Sequence, residues 1–81
     1  MKVEVLLFAA ARERAGTEKL SVDLPAGATA ADLWRRLAAD RPALAGVLPS
    51  CRAAVDSEFA PQTAVLRDGA VVAVLPPVSG G

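Results

Sequence analysis

Few side chains on this chain can do chemistry. Its 81 residues include no histidine and one cysteine. That removes the commonest general base and leaves too few ligands for a disulfide framework, a multi-cysteine zinc site or an iron–sulfur cluster, so no metal site is expected. Cys51 has no neighbouring histidine and sits in an apolar, strand-like stretch, so it reads as a structural thiol rather than a nucleophile. The chain closes with Pro76-Pro77-Val78-Ser79-Gly80-Gly81. The prolines lack an N–H and favour an extended conformation, while Gly80 and Gly81 carry no side chain to obstruct entry into a narrow channel. Six residues at ~3.1 Å each project roughly 15–20 Å, far enough to enter another protein's cleft. The terminal carboxyl, with a reference pKa of about 3.3–3.7, is an anion at neutral pH and a poor electrophile.

Such a tail needs a domain to hold it, and the hydrophobic pattern predicts one over residues 1–75, with 76–81 as the extended tail. The run from Ala70 to Leu75 is apolar at every position, which predicts a strand in the middle of a sheet, covered on both faces. Lys2 to Phe8 predicts a strand with Val3, Val5 and Leu7 on one face and Lys2, Glu4, Leu6 and Phe8 on the other. A short helix is expected from Ala9 to Ala15, closed by Gly16 in a left-handed conformation. Lys19 to Leu24 alternates strictly, with Leu20, Val22 and Leu24 inward, and should pair antiparallel to the first strand.

Thr29 with Asp32 three residues on is a weak capping box, opening a helix whose apolar stripe is Ala30, Leu33, Trp34, Leu37 and Ala38. It ends before Pro42, where a further turn returns Leu44, Val47 and Leu48 to the core until Pro49 and Ser50 break it. Cys51 to Val55 predicts a third strand and Asp56-Ser57 a turn. Phe59 follows on a brief edge segment limited by Pro61, and Leu66 plugs back into the core. Asp68-Gly69 forms a tight turn into the last strand. One long helix laid across a small mixed sheet, with first and last strands adjacent and parallel, is the α+β architecture of the ubiquitin-like β-grasp.

The bulk numbers narrow the function. Nine basic and nine acidic residues cancel and are scattered along the chain, which argues against a nucleic-acid or anionic-membrane partner. No apolar run reaches a membrane span and Met1–Phe8 is too short and strand-like for a signal peptide, so cytoplasmic residence is the default expectation. With so few chemical groups, a self-contained hydrolase or metalloenzyme is not expected.

The opening strand into Phe8-Ala9, then Arg12-Glu13, Gly16, Val55-Asp56, Leu66, Asp68-Gly69 and the Pro-Pro-Val-Ser-Gly-Gly ending carry a resemblance over nearly the whole chain. The chain resembles the small subunits of molybdopterin synthase, a family of sulfur-carrier proteins. Asp56 stands where that family often has Asn, and Ala70 where an acidic residue is common. The resemblance implies that an E1-like activating enzyme uses ATP to adenylate the Gly81 carboxylate, which a sulfur donor then converts to a thiocarboxylate. It implies further that Pro76, Pro77, Val78, Ser79 and Gly80 insert into the large subunit of molybdopterin synthase, in an assembly of two small subunits flanking a dimer of large ones. There the sulfur reaches the pterin precursor. No cofactor bound to the carrier itself is implied, and the catalytic acids and bases belong to the large subunit.

For docking, the resemblance suggests Phe8, Phe59 and Leu75 on an exposed sheet face; the other reading makes all three core. Arg12 is either a contact to a partner enzyme or a solvated helix charge. Trp34 shares the helix stripe with Leu33 and Leu37 and belongs to the core. Other destinations for the same tail chemistry are carriers for thiamine, cysteine or tRNA thiolation. A ubiquitin-like modifier joined through Gly81 to target lysines is a different class.

Overall fold

A computed structural model describes residues 1–77 of the chain. Val78, Ser79, Gly80 and Gly81, which carry most of the expected tail, lie outside the described residues. Five strands and two helices follow in order: β1 (Lys2–Leu7), α1 (Ala9–Ala15), β2 (Lys19–Asp23), α2 (Ala30–Asp40), β3 (Arg52–Val55), β4 (Glu58–Ala60) and β5 (Val71–Leu75). The sheet order is β2-β1-β5-β3-β4. β1 and β5 are parallel, and the other pairs are antiparallel. With α2 packed across one face, this is the ubiquitin-like β-grasp.

Alternation places Val3, Val5 and Leu7 of β1 and Val72 and Val74 of β5 against the helix layer, each at most 1% exposed. From α2, Leu33, Trp34 and Leu37 pack down onto them. Trp34 satisfies its indole N–H by donating to the Leu48 carbonyl at 3.0 Å. Leu44, Val47, Leu48 and Leu66 close the sides of this core.

The ends of α2 are well specified. The Thr29 hydroxyl accepts from the Asp32 N–H, and the Asp32 carboxylate accepts from the Thr29 N–H at 2.9 Å, a complete reciprocal box where the residue types promise only a weak one. Two more N–H groups of the first turn, those of Ala30 and Ala31, donate to the carbonyls of Ala64 and Gln62. The loop between β4 and β5 thus supplies acceptors that the helix lacks.

Three expectations are corrected. β5 is the central strand, but only one of its faces is covered: Val71 is 37% exposed, and Ala73 and Leu75 are half-buried on the face opposite the helix. The domain has a single helix layer, so its apolar run is buried on one side alone. Pro49 and Ser50 do not break the chain after Leu48 but complete a second 3-10 turn, Leu48–Ser50, following a first at Pro42–Leu44. Proline suits such a turn because its N–H is not needed there. Third, β3 begins at Arg52, with Cys51 ending the preceding turn. The Cys51 thiol is buried, donates to the Val47 carbonyl at 3.2 Å, and is pushed above its ordinary pKa by burial, as suits a structural cysteine.

Asp56 and Ser57 both adopt positive φ, 50° and 74°, giving the two-residue hairpin turn between β3 and β4. Asp56 also accepts from the Val71 N–H at 3.0 Å and from Arg67 at 2.8 Å, so its carboxylate ties the hairpin to the start of β5. The Val71 N–H first, then Arg67, hold this carboxyl below the usual range. The Thr29 N–H and hydroxyl, then Arg35, do the same for Asp32.

Both groups titrate lower in the folded chain than near the unfolded value of about 3.9, so the stability they contribute is present above that value and lost as pH falls through the folded one. A double variant, Asp32→Asn with Asp56→Asn, is expected to be less stable than wild type at pH 7, with the gap closing as pH falls below about 4. Urea unfolding across pH measures it; a gap independent of pH overturns the assignment.

Candidate functional site

Strand register defines the face left open by the helix. Leu6 of β1 pairs with Ala73 of β5, Ala73 with Ala54 of β3, and Ala54 with Phe59 of β4. Alternation sends all four side chains away from α2. Leu75 lies one step nearer the tail and opposite Arg52. Phe8, one residue beyond the Leu7↔Val74 pair, comes level with Leu75. A stripe of apolar side chains therefore crosses the sheet just where the chain leaves it.

Phe8 and Phe59 are 43% and 62% exposed and Leu75 is half-buried, so none of the three belongs to the helix-side core. The two rings do not touch: four strands spaced about 4.8 Å apart put them roughly 14 Å from each other, with Leu75, Ala73 and Ala54 between. Ala54 is 8% exposed yet stands outside the core cluster, covered from the open side. Patches of exposed apolar surface on a small domain mark interaction sites.

Local structure aims each group. Ala9, with φ 48°, turns the chain sharply out of β1 and into α1, leaving Phe8 at the corner. Gly16, with φ 74°, closes α1 one residue past Ala15 and lets its N–H bond back to the Arg12 carbonyl. Arg12 is exposed on that helix and lines one shallow cavity with Leu6, Phe8, Glu18 and Lys19. At the other margin the two-residue turn fixes β4 against β3, and Pro61 ends the strand after Ala60.

Pro76 is half-buried and Pro77 exposed, neither in a strand, so the ladder stops at Leu75 as the proline chemistry requires. Gly81, Gly80, Ser79 and Val78 lie outside the described residues. Of the positions expected to act, Phe8, Leu75 and Phe59 share the open face, with Arg12 beside Phe8 and the root of the tail at Leu75, while Phe59 stands at the far margin.

Arg52 is a site residue the sequence reading missed. Its guanidinium lies over the Phe59 ring, 3.9 Å from the ring centre, a cation–π contact diagonal across the hairpin. The signal was present: a two-residue turn at Asp56-Ser57 makes Ala54 face Phe59 and sets Arg52 on the same side of the sheet.

Among the described residues, no cluster of three or more His, Cys, Asp or Glu is placed to hold a metal ion, and no helix is long and apolar enough to cross a membrane. Among the described residues, what the site offers is an apolar stripe around the point where the chain leaves the sheet.

Comparison with known proteins agrees with that geometry. The profile described as the ThiS family matches residues 5–81. The molybdopterin synthase sulfur carrier subunit of Chlamydomonas reinhardtii is 41% identical over 83 residues, covering 100% of both chains. Among solved structures, small archaeal modifier protein 1 of Haloferax volcanii superposes with a TM-score of 0.87 at 28% identity, covering 95% of this chain and 98% of that one. A chain from the complex of subunits 1 and 2 of the molybdopterin-converting factor of Helicobacter pylori gives 0.72 at 27% identity, covering 100% of both.

Proposed function

Because the chain belongs to the ThiS family, we propose that it carries sulfur as its terminal thiocarboxylate and delivers it inside the large subunit of a molybdopterin synthase. The sulfur-carrier role in molybdenum cofactor biosynthesis rests above all on full-length similarity to a curated sulfur carrier subunit. The Helicobacter complex supports a large-subunit partner.

The chemistry follows from the terminal group. A carboxylate oxygen of Gly81 attacks the α-phosphorus of ATP in an E1-like enzyme, pyrophosphate leaves, and the acyl-adenylate gains the leaving group that the free anion lacks. Hydrosulfide supplied by a sulfur donor then attacks the acyl carbon, the bond from that carbon to the AMP oxygen breaks, AMP departs with the electron pair, and the thiocarboxylate results. Its sulfur is now the nucleophile toward the pterin precursor. The carrier binds no cofactor in this scheme, since ATP belongs to the activating enzyme. The division of labour suits a chain without histidine.

The stripe around Leu75 docks the domain, while Pro76 to Gly80 span the distance to the partner's interior. In a wild-type chain incubated with its activating enzyme, ATP and a sulfur donor, intact mass should rise by the difference between sulfur and oxygen. The product should then convert precursor to dithiolene with the large subunit. Absence of the mass shift sinks the carrier reading; a shift without conversion moves the chain to another thiolation pathway. The likeness to a modifier protein favours one further reading, which lysine-linked conjugates in cells would support.

Docking by the stripe predicts that Phe59→Ala weakens large-subunit binding by about tenfold or more, because buried aromatics dominate such interfaces. The domain itself should lose well under 1 kcal/mol, as a surface substitution does. A stability loss in the 3–5 kcal/mol range of a buried Phe would place the ring in the core instead.

A further inference from the structure

We infer that Arg52 sets the specificity of the docking face by meeting a carboxylate that the large subunit presents beside the tail root; this rests on the sulfur-carrier reading above. Of the six other arginines, four have partners among the described residues, Arg35 with Asp32, Arg36 with Asp40, Arg41 with the Ala15 carbonyl and Arg67 with Asp56, while Arg12 and Arg14 on α1 have none. On the open face, Glu4 and Lys19 pair with each other, and Ser21 donates to Glu4. Arg52 has neither a carboxylate nor a hydrogen-bond acceptor among the described residues, although it stands opposite Leu75, where the tail leaves the sheet.

Its geometry suits a planar acceptor. Packing over Phe59 presents the guanidinium as an oriented fork and spends one of its faces on the ring, leaving the N–H edge to recognise a carboxylate. An apolar partner pressed onto Leu75 and Phe59 would desolvate this charge, and a desolvated cation without a counter-ion opposes association. The partner that fits is therefore apolar over the stripe and acidic at its β3–β4 margin. A cationic or wholly apolar surface is rejected there.

The test measures affinity of the full chain for its large subunit at low and high salt, comparing wild type with Arg52→Gln, Arg52→Leu, Arg52→Glu and Arg52→Lys. Thermal melts monitor folding alongside. Arg52→Gln is expected to raise Kd about tenfold and flatten its salt dependence, and Arg52→Glu to raise it about a hundredfold. Arg52→Lys, which keeps charge but loses the planar fork, should fall between wild type and Arg52→Gln. Arg52→Leu should bind more weakly than wild type despite its added apolar surface. Wild-type affinity and salt slope in Arg52→Gln, or undiminished binding by Arg52→Leu, overturns the inference while leaving the carrier role intact. A wild-type chain that fails to bind the large subunit removes the reading beneath it.

Discussion

Deleting Gly81 alone should abolish thiocarboxylate formation while leaving the thermal unfolding of the domain essentially unchanged. The truncated chain still ends in a carboxylate and a glycine, so its chemistry is intact; what changes is reach. One extended residue is about 3.1 Å. A misplacement of about 1 Å at a reacting centre can already cost on the order of 100-fold. Stability should hold because the described core is complete by Val74 and the ladder ends at Leu75. Intact mass after incubation with activating enzyme, ATP and sulfur donor reads the first half, and a circular-dichroism melt the second. Sulfur acceptance at Gly80, or a large drop in melting temperature, would refute the picture of a rigid holder with a reactive end. Gly81→Ala separates length from side chain: it restores the reach, and any remaining defect reports a channel too narrow for a methyl group.

Leu33→Ala should have the opposite signature, a wild-type tail on a failing domain. Leu33 is fully buried in the seam between α2 and the sheet. Truncating such a leucine costs about 2–5 kcal/mol, the spread depending on how far the cavity collapses. At 0.05–0.15 kcal/mol per residue, 81 residues give about 4–12 kcal/mol in total, so this one change removes a large share. Trp34 is the chain's one tryptophan, and its emission follows urea unfolding directly. Sulfur acceptance should then fall in step with the folded fraction and recover when temperature is lowered. A loss under about 1 kcal/mol would mean that the helix–sheet seam is not where stability resides.

Much of this is legible in the sequence, for reasons that differ by residue. Gly16 and the Thr29/Asp32 pair are local signals, and local signals are read directly: the helix ends fall where they indicate. The hairpin at Asp56-Ser57 was readable as a turn, but its consequence was not drawn, since stacking Arg52 on Phe59 follows only once both strands are placed in register. The open face of β5 was misread for a deeper reason. A strand that is apolar on both sides shows that both sides shun water, and does not say whether the second cover comes from the same chain or another. For Phe8, Phe59 and Leu75 two readings stood side by side; none of the three lies in the core, and their docking role stands as the proposal above. Asp56 reads in the sequence as a turn residue alone; its bonds to Val71 and Arg67 depend on a contact from the far end of the chain, which no short window can display.

The parallel pairing of β1 with β5 also has a mechanical consequence. Pulling between Met1 and Leu75 loads the Glu4↔Val71 to Leu7↔Val74 ladder in shear. Its hydrogen bonds must then yield together rather than unzip one at a time. A pull applied between those two ends therefore meets the resistance of the whole ladder at once.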